Sequence, residues 1–185
     1  MVTIAELWLP IVVSAVLVFL ASTVIHMMLR YHKNDWSGMP DEDAVRDAMQ
    51  RAGIGPGDYH FPKPSSAADM KSAEYAEKVG RAPSGFMTIL PPSDGMGKQL
   101  VHWFIYSLVV GVMVAYVTGR TTVPATEYLA VFRVSGAVAF LAYAGADPIM
   151  SIWMGRRWGS TLRNMLDGLI YALVTAGAFG WLWPS

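Results

Sequence analysis

Four nearly charge-free runs, each long enough to cross a bilayer, limit this 185-residue chain more than any other feature in it. At a rise of ~1.5 Å per residue, about 20 apolar residues cover the ~30 Å hydrocarbon core. The first run, residues 7–29, is interrupted only by Pro10 and His26. A cleaved leader would need a basic start and an apolar stretch of about 7–15 residues. Glu6 is the only charge before this run, so residues 1–29 read as an uncleaved transmembrane helix. The second span is 100–118. The third, 128–146, carries Arg133 and stops at Asp147-Pro148. The residue before a proline is pushed out of the helical region, and Asp147 and Pro148 are suited to the N-cap and N1 positions of a new helix. Residues 147–159 then read as a short interfacial helix, with Ile152, Trp153 and Met154 beside Arg156 and Arg157. The fourth span, 160–184, begins near Ser160 or Thr161 and ends at Trp183-Pro184.

Charge is concentrated outside these runs. Residues 30–99 hold nine Lys/Arg and ten Asp/Glu, leaving five and four for the other 115 positions. Arg30, Lys33, Lys98, Arg156, Arg157 and Arg163 flank one membrane face and Arg120 alone the other. Basic flanks mark the cytoplasmic side. The expectation is therefore an all-α, multi-pass protein of a bacterial inner (cell) membrane, with both termini outside and a roughly 70-residue cytoplasmic loop over residues 30–99. Tyr31, Trp36, Trp103 and Trp153 inside, with Trp8, Tyr116, Tyr128, Trp181 and Trp183 outside, fit aromatic belts.

Within the loop, Asp41-Glu42-Asp43 ahead of residues 44–52 reads as a capped helix closed by Gly53, and 66–79 as a second closed by Gly80. Gly55-Pro56-Gly57 and Phe61-Pro62-Lys63-Pro64 are loop signals. Residues 85–92, apolar but bounded by proline, read as a segment lying on protein or membrane rather than a strand. The loop has too few large apolar residues for a core of its own, so it is expected to pack on the bundle, a second copy or a partner.

Two patterns inside the spans bear on function. Gly168, Ala172, Ala176 and Gly180 recur every four residues, as do Ser107, Gly111 and Ala115. Such small-residue seams let helices approach closely, either within the bundle or against another chain. The second pattern is polar. Ser14, Ser22 and His26 share a face of span one, His102 and Tyr106 of span two, Tyr143 and Asp147 of span three, and Asp167, Tyr171 and Thr175 of span four. Because span direction alternates, His26, His102, Asp147 and Asp167 fall at the cytoplasmic ends at similar depth. Polar groups in a span are costly and face the protein interior or a wet cavity, so His26, His102, Tyr106, Asp167 and Tyr171 form a candidate inner-leaflet cofactor cluster. The local alternatives are headgroup-level histidines, a capping Asp147, an Asp167–Arg163 ion pair, and Arg133 paired with Glu127 or Glu6.

His26 and His102 could ligate a b-type haem, and a quinone head group could bond to the same histidines, tyrosine and carboxylate. The absence of cysteine excludes disulfides and thiolate-ligated zinc or iron–sulfur sites. No His pair at i, i+3 or i, i+4 supports a metal site, and no phosphate loop, HExxH or Gly-x-Ser-x-Gly is present, which argues against an enzyme. Balanced charge gives no sign of a nucleic-acid partner. The leading expectation is a non-catalytic accessory subunit of a larger inner-membrane assembly, in contact with lipid and with a protein partner or its own copies. The alternatives are a homo-oligomeric channel or transporter with a polar path through Asp167, and a small redox or quinone-interacting protein.

Overall fold

A computed structural model describes residues 1–93 and 95–185. Its helices are α1 (Trp8–Met27), α2 (Glu42–Arg51), α3 (Ala73–Gly80), α4 (Gly97–Thr121), α5 (Tyr128–Ala144), α6 (Asp147–Met154) and α7 (Trp158–Trp181). Two short strands, β1 (Gly57–Phe61) and β2 (Gly85–Ile89), complete it. The chain divides into two compact units, one of Met1–Asp35 with Gly95–Ser185, the other Trp36–Asp94.

The first unit is all helix. Among the described residues three helices are long and apolar enough to cross a membrane: Trp8–Met27, Gly97–Thr121, and Tyr128–Met154 taken through the α5–α6 turn. Their length and apolar composition are compatible with a multi-pass membrane protein. Helices α1, α4 and α5 match the first three apolar runs within a few residues, which is the ordinary uncertainty of helix ends. Helix α7 is of similar length but carries Arg163, Asn164 and Asp167 in its first half.

The small-residue seams are filled inside the chain. Ser107, Ala115, Ala172 and Ala176 are buried. A Cβ on Gly111 would stand 3.2 Å from Ile11, so this seam of α4 receives α1. Ala176 packs on Gly136 of α5. Val2 and Leu7 are buried beside α4, and Val2 N–H donates to Gly119 O at 3.0 Å.

The α6 segment departs from expectation in detail. Ala146 takes the N-cap position, Asp147 is the first helical residue, and no side chain caps the helix. The helix ends at Met154 rather than running to residue 159 because Gly155 adopts φ +68°, a left-handed conformation that favours glycine and terminates helices. Three residues after Gly155, α7 begins at Trp158, earlier than the expected Ser160 or Thr161.

In the second unit none of the described residues is buried. The expected helix over 42–52 forms, with the Asp41 carboxylate accepting from Ala44 N–H. The segment expected as one helix over 66–79 divides into a 3-10 turn, Asp69–Lys71, and α3. Ser72 is the reason: it is extended, and its hydroxyl caps Tyr75 N–H at 3.0 Å. The reading of 85–92 as a strandless segment is also corrected. Gly85–Ile89 pairs antiparallel with Gly57–Phe61, Tyr59 opposite Met87 and His60 opposite Phe86, so the chain is not purely helical. His60 stacks on Phe86 with ring centres 4.6 Å apart, and Asp58 accepts from Thr88 at 2.7 Å. Cross-strand contacts of this kind hold five-residue strands that hydrophobic alternation does not announce. Replacing Ser72 with alanine removes a cap worth about 1 kcal/mol, so amide hydrogen exchange in α3 should accelerate roughly fivefold. An unchanged exchange rate would show that the cap is idle.

Candidate functional site

The site lies within the helical unit, where the segment after α1 folds back onto the start of α7. Two arginines hold it there. Arg157, at the N-cap of α7, donates to the backbone carbonyls of Asn34 at 3.2 Å and Asp35 at 3.3 Å. Arg163, one turn into α7, donates from Nε to Asp35 Oδ1 at 2.7 Å and also from Nη2 to the same oxygen. The Asp35 side chain is 4% exposed. Burial alone would raise its pKa, but the hydrogen bonds from Arg163, His32 and Ser160 and the guanidinium charge outweigh it and hold the carboxyl at about 2. Arg163 therefore pairs with Asp35, which corrects the expected Asp167–Arg163 pair. The local i, i+4 partner loses to a geometry in which the guanidinium makes two bonds to one buried carboxylate.

Anchoring Asp35 aims the residues before it. His32 Nδ1 lies 2.6 Å from Asp35 Oδ2, and His32 Nε2 lies 2.9 Å from Asp167 Oδ2. The Tyr31 hydroxyl donates to the other Asp167 oxygen, Oδ1. Burial, then the hydrogen bond and charge of Asp167, push the Tyr31 phenol well above its usual range, so it stays protonated as a donor. From α1, His26 Nε2 stands 4.0 Å from Asp167 Oδ2 and 3.5 Å from the Tyr171 hydroxyl. The His26 and His32 rings sit 5.0 Å apart. Asp167, buried in the bundle, is thus the hub on which two histidines and a tyrosine converge.

Beside this hub a cavity of about 720 Å³ opens between α1, α4, α7 and the α5–α6 turn. Trp103, Tyr143 and Tyr171 form an aromatic cluster with ring centres 5.6–6.1 Å apart. The Trp103 indole N–H donates to Ser22 Oγ at 3.0 Å, which fixes its ring against α1. His26, Asp147, Asn164 and Asp167 supply the polar end, and Phe19, Met27, Met96 and Leu100 the apolar side.

Of the residues singled out in sequence, His26, Asp167 and Tyr171 come together here. His102 does not: it is exposed on α4 and is absent from the cavity wall, so no His26–His102 pair is assembled. Tyr106 turns instead to the α5 backbone, donating to Ala142 O at 2.8 Å. Asp147 lines the cavity rather than capping α6. Arg133 is exposed, with no ion-pair partner among the described residues, while Glu6 accepts from Thr3. His32 and Asp35 are not singled out by the sequence, and Tyr31 only as an interfacial aromatic, because they follow the apolar run and read as the start of a polar loop. The available signal was a histidine six residues beyond His26, followed by an aspartate three residues later.

Comparison with protein-family models, with curated proteins and with solved structures finds no match to this chain.

Proposed function

We propose that the chain is a four-span inner-membrane protein that binds a ring-headed amphipathic lipid of the quinone class in the α1–α4–α7 cavity. In this reading α7 is the fourth span, its charged and polar first half turned to the Asp35–His32–Asp167 network instead of to lipid. Buried, mutually bonded polar groups are how charge is tolerated at membrane depth. The basic flanks support a cytoplasmic side for the loop over residues 30–99 and an outer side for both termini.

The cavity is the observation that carries the ligand class. Its ~720 Å³ is of the size that holds a small-molecule ligand, and its walls change character from one end to the other. Aromatic faces at Trp103, Tyr143 and Tyr171 suit a planar ring. His26, Asn164 and the Tyr171 hydroxyl offer hydrogen bonds to its carbonyl oxygens. Met27, Met96 and Leu100, all exposed, continue the wall in apolar side chains that suit an isoprenoid tail.

Isothermal titration of a short-chain quinone into the protein in lipid nanodiscs tests this. Saturable micromolar binding is expected, weakened about tenfold by Trp103→Ala through loss of ring contact. Non-saturable partitioning, the same in both proteins, would sink the proposal.

A second reading, an accessory subunit of a larger inner-membrane assembly, is favoured by one observation. The unit over residues 36–94 buries none of its described residues, leaving its helical and strand faces open to a partner. Gentle extraction followed by size analysis and mass spectrometry tests it, and a lone stable monomer would count against it.

A further inference from the structure

We infer that His26, His32 and Asp167 form a binding site for a first-row divalent transition metal, of the two-histidine, one-carboxylate type. The inference does not depend on a quinone in the cavity, because His32 contributes to it and is not part of the cavity wall.

The first argument is convergence. One ligand atom from each of the three residues, contributed by α1, by the segment after α1 and by α7, lies within 4.8 Å of the other two. Nitrogen and oxygen ligands at about 2.0–2.1 Å from a tetrahedral ion stand roughly 3.3 Å from one another. The Asp167–His32 separation of 2.9 Å and the Asp167–His26 separation of 4.0 Å bracket that value. His26 is half-exposed, so a small rotation of its ring closes the set without disturbing the core.

The second argument is an unmet valence. His32 Nδ1 is engaged by Asp35, yet its buried Nε2 makes no hydrogen bond, although Asp167 Oδ2 is only 2.9 Å away. The contact is close enough for a hydrogen bond and fails on direction: the ring-plane axis of Nε2 passes beside Asp167 Oδ2 instead of ending on it. An ion held to one side of the line between them would meet the nitrogen and the carboxylate oxygen together. Since buried polar atoms are nearly always satisfied, an orphan nitrogen beside a carboxylate calls for such a partner.

The third argument is the surrounding shell. Metal-bound histidines characteristically give their second ring nitrogen to a carboxylate, which fixes the tautomer and the ring plane. Asp35 does this for His32, and is itself pinned by Arg163 through its side chain and by Arg157 through its backbone. Tyr31 occupies Asp167 Oδ1 and leaves Oδ2 for the ion. Three protein ligands leave at least one coordination position vacant, and both His26 and Asp167 border the cavity. Two imidazoles and one carboxylate suit zinc or iron(II); magnesium and calcium call for oxygen-only surroundings.

The test uses the tag-free full chain in nanodiscs, stripped with a chelator, loaded with cobalt(II) or zinc(II) and desalted. Elemental analysis should find about one equivalent of either ion, and cobalt should show visible ligand-field absorption. His32→Ala and His26→Gln should each reduce retention to background, and Asp35→Asn should weaken affinity 10–100-fold. His102→Gln should retain the full equivalent. Because His26 is half-exposed, His26→Gln keeps the fold and makes loss of metal interpretable. Background retention by the wild type, or undiminished retention by His26→Gln, would overturn the inference and leave a shared proton as the cation between His32 and Asp167. Either result is read independently of quinone binding.

Discussion

Replacing Asp35 with alanine should lower the unfolding free energy of the helical unit by about 3 kcal/mol, the range seen when one partner of a buried ion pair is removed. The reason is the state in which the change leaves the other groups. Arg163 loses the carboxylate that accepts from both Nε and Nη2, and its guanidinium, two-thirds covered, keeps its charge with Ser160 as its remaining side-chain hydrogen-bond partner among the described residues. His32 Nδ1 loses its partner at 2.6 Å. The segment then hangs on the two backbone bonds from Arg157 and the Tyr31 hydroxyl bond to Asp167, and His32 loses the carboxylate that orients its ring. Asp35→Asn keeps the shape and one acceptor oxygen and should cost roughly half as much. Combining Asp35→Asn with Arg163→Met removes the uncompensated charge and should recover part of the loss, since the two positions are directly coupled. Reversible unfolding in mixed micelles, followed by circular dichroism, reads all three variants. An Asp35→Ala midpoint equal to that of the wild type would mean that the network adds nothing to the fold.

The same network shows what the sequence makes legible and what it hides. The spans are visible because lipid imposes a length and a composition on each helix independently of its neighbours. Residues 7–29 and 100–118 needed only local reading to land on Trp8–Met27 and within Gly97–Thr121. Four-residue periodicity placed Asp167 and Tyr171 on one face, and alternating span direction put His26 at the same depth. Hidden were the partners that come from outside a span. Arg163 and Asp35 are 128 residues apart, and nothing in Tyr31-His32-Lys33-Asn34-Asp35 states that the chain turns back onto α7. A polar stretch after an apolar run has the composition of a solvated loop whether or not two arginines fasten it. His102 failed for the complementary reason. Depth along a helix follows from residue number, but azimuth relative to other helices depends on packing, and α4 turns His102 outward while Trp103 faces Ser22. The β1–β2 pair was equally illegible, since two five-residue strands bracketed by prolines and glycines resemble turns until they meet.

Packing also yields the second large effect, at Gly168. Here α5 and α7 approach so closely that a Cβ would stand 2.7 Å from Ala144 Cβ and 3.1 Å from the Tyr143 carbonyl. Carbon atoms at rest need about 3.5–4.0 Å, so even alanine must part the helices by roughly 1 Å. The obstacle is another Cβ and the backbone, neither of which can rotate away. Gly168→Ala should therefore cost about 1–3 kcal/mol, although alanine is the better helix former by about 1 kcal/mol. Its neighbour Asp167 would move with the backbone, loosening the carboxylate from His32 and Tyr31, so cobalt retention should fall as well. Two glycines on the same helix calibrate the result. At Gly180 the Cβ would meet the Tyr128 ring at 2.7 Å, a side chain that can shift, so alanine there should cost less. At Gly177 the nearest atom is the Tyr128 hydroxyl at 3.9 Å, and alanine should be neutral or stabilising. The expected order of tolerance is 177, then 180, then 168, in unfolding midpoint, with metal retention affected only at 168. If alanine at 168 is tolerated as well as at 177, the α5–α7 seam is not closed at that level, and Asp167 is held by its hydrogen bonds rather than by the helix that carries it.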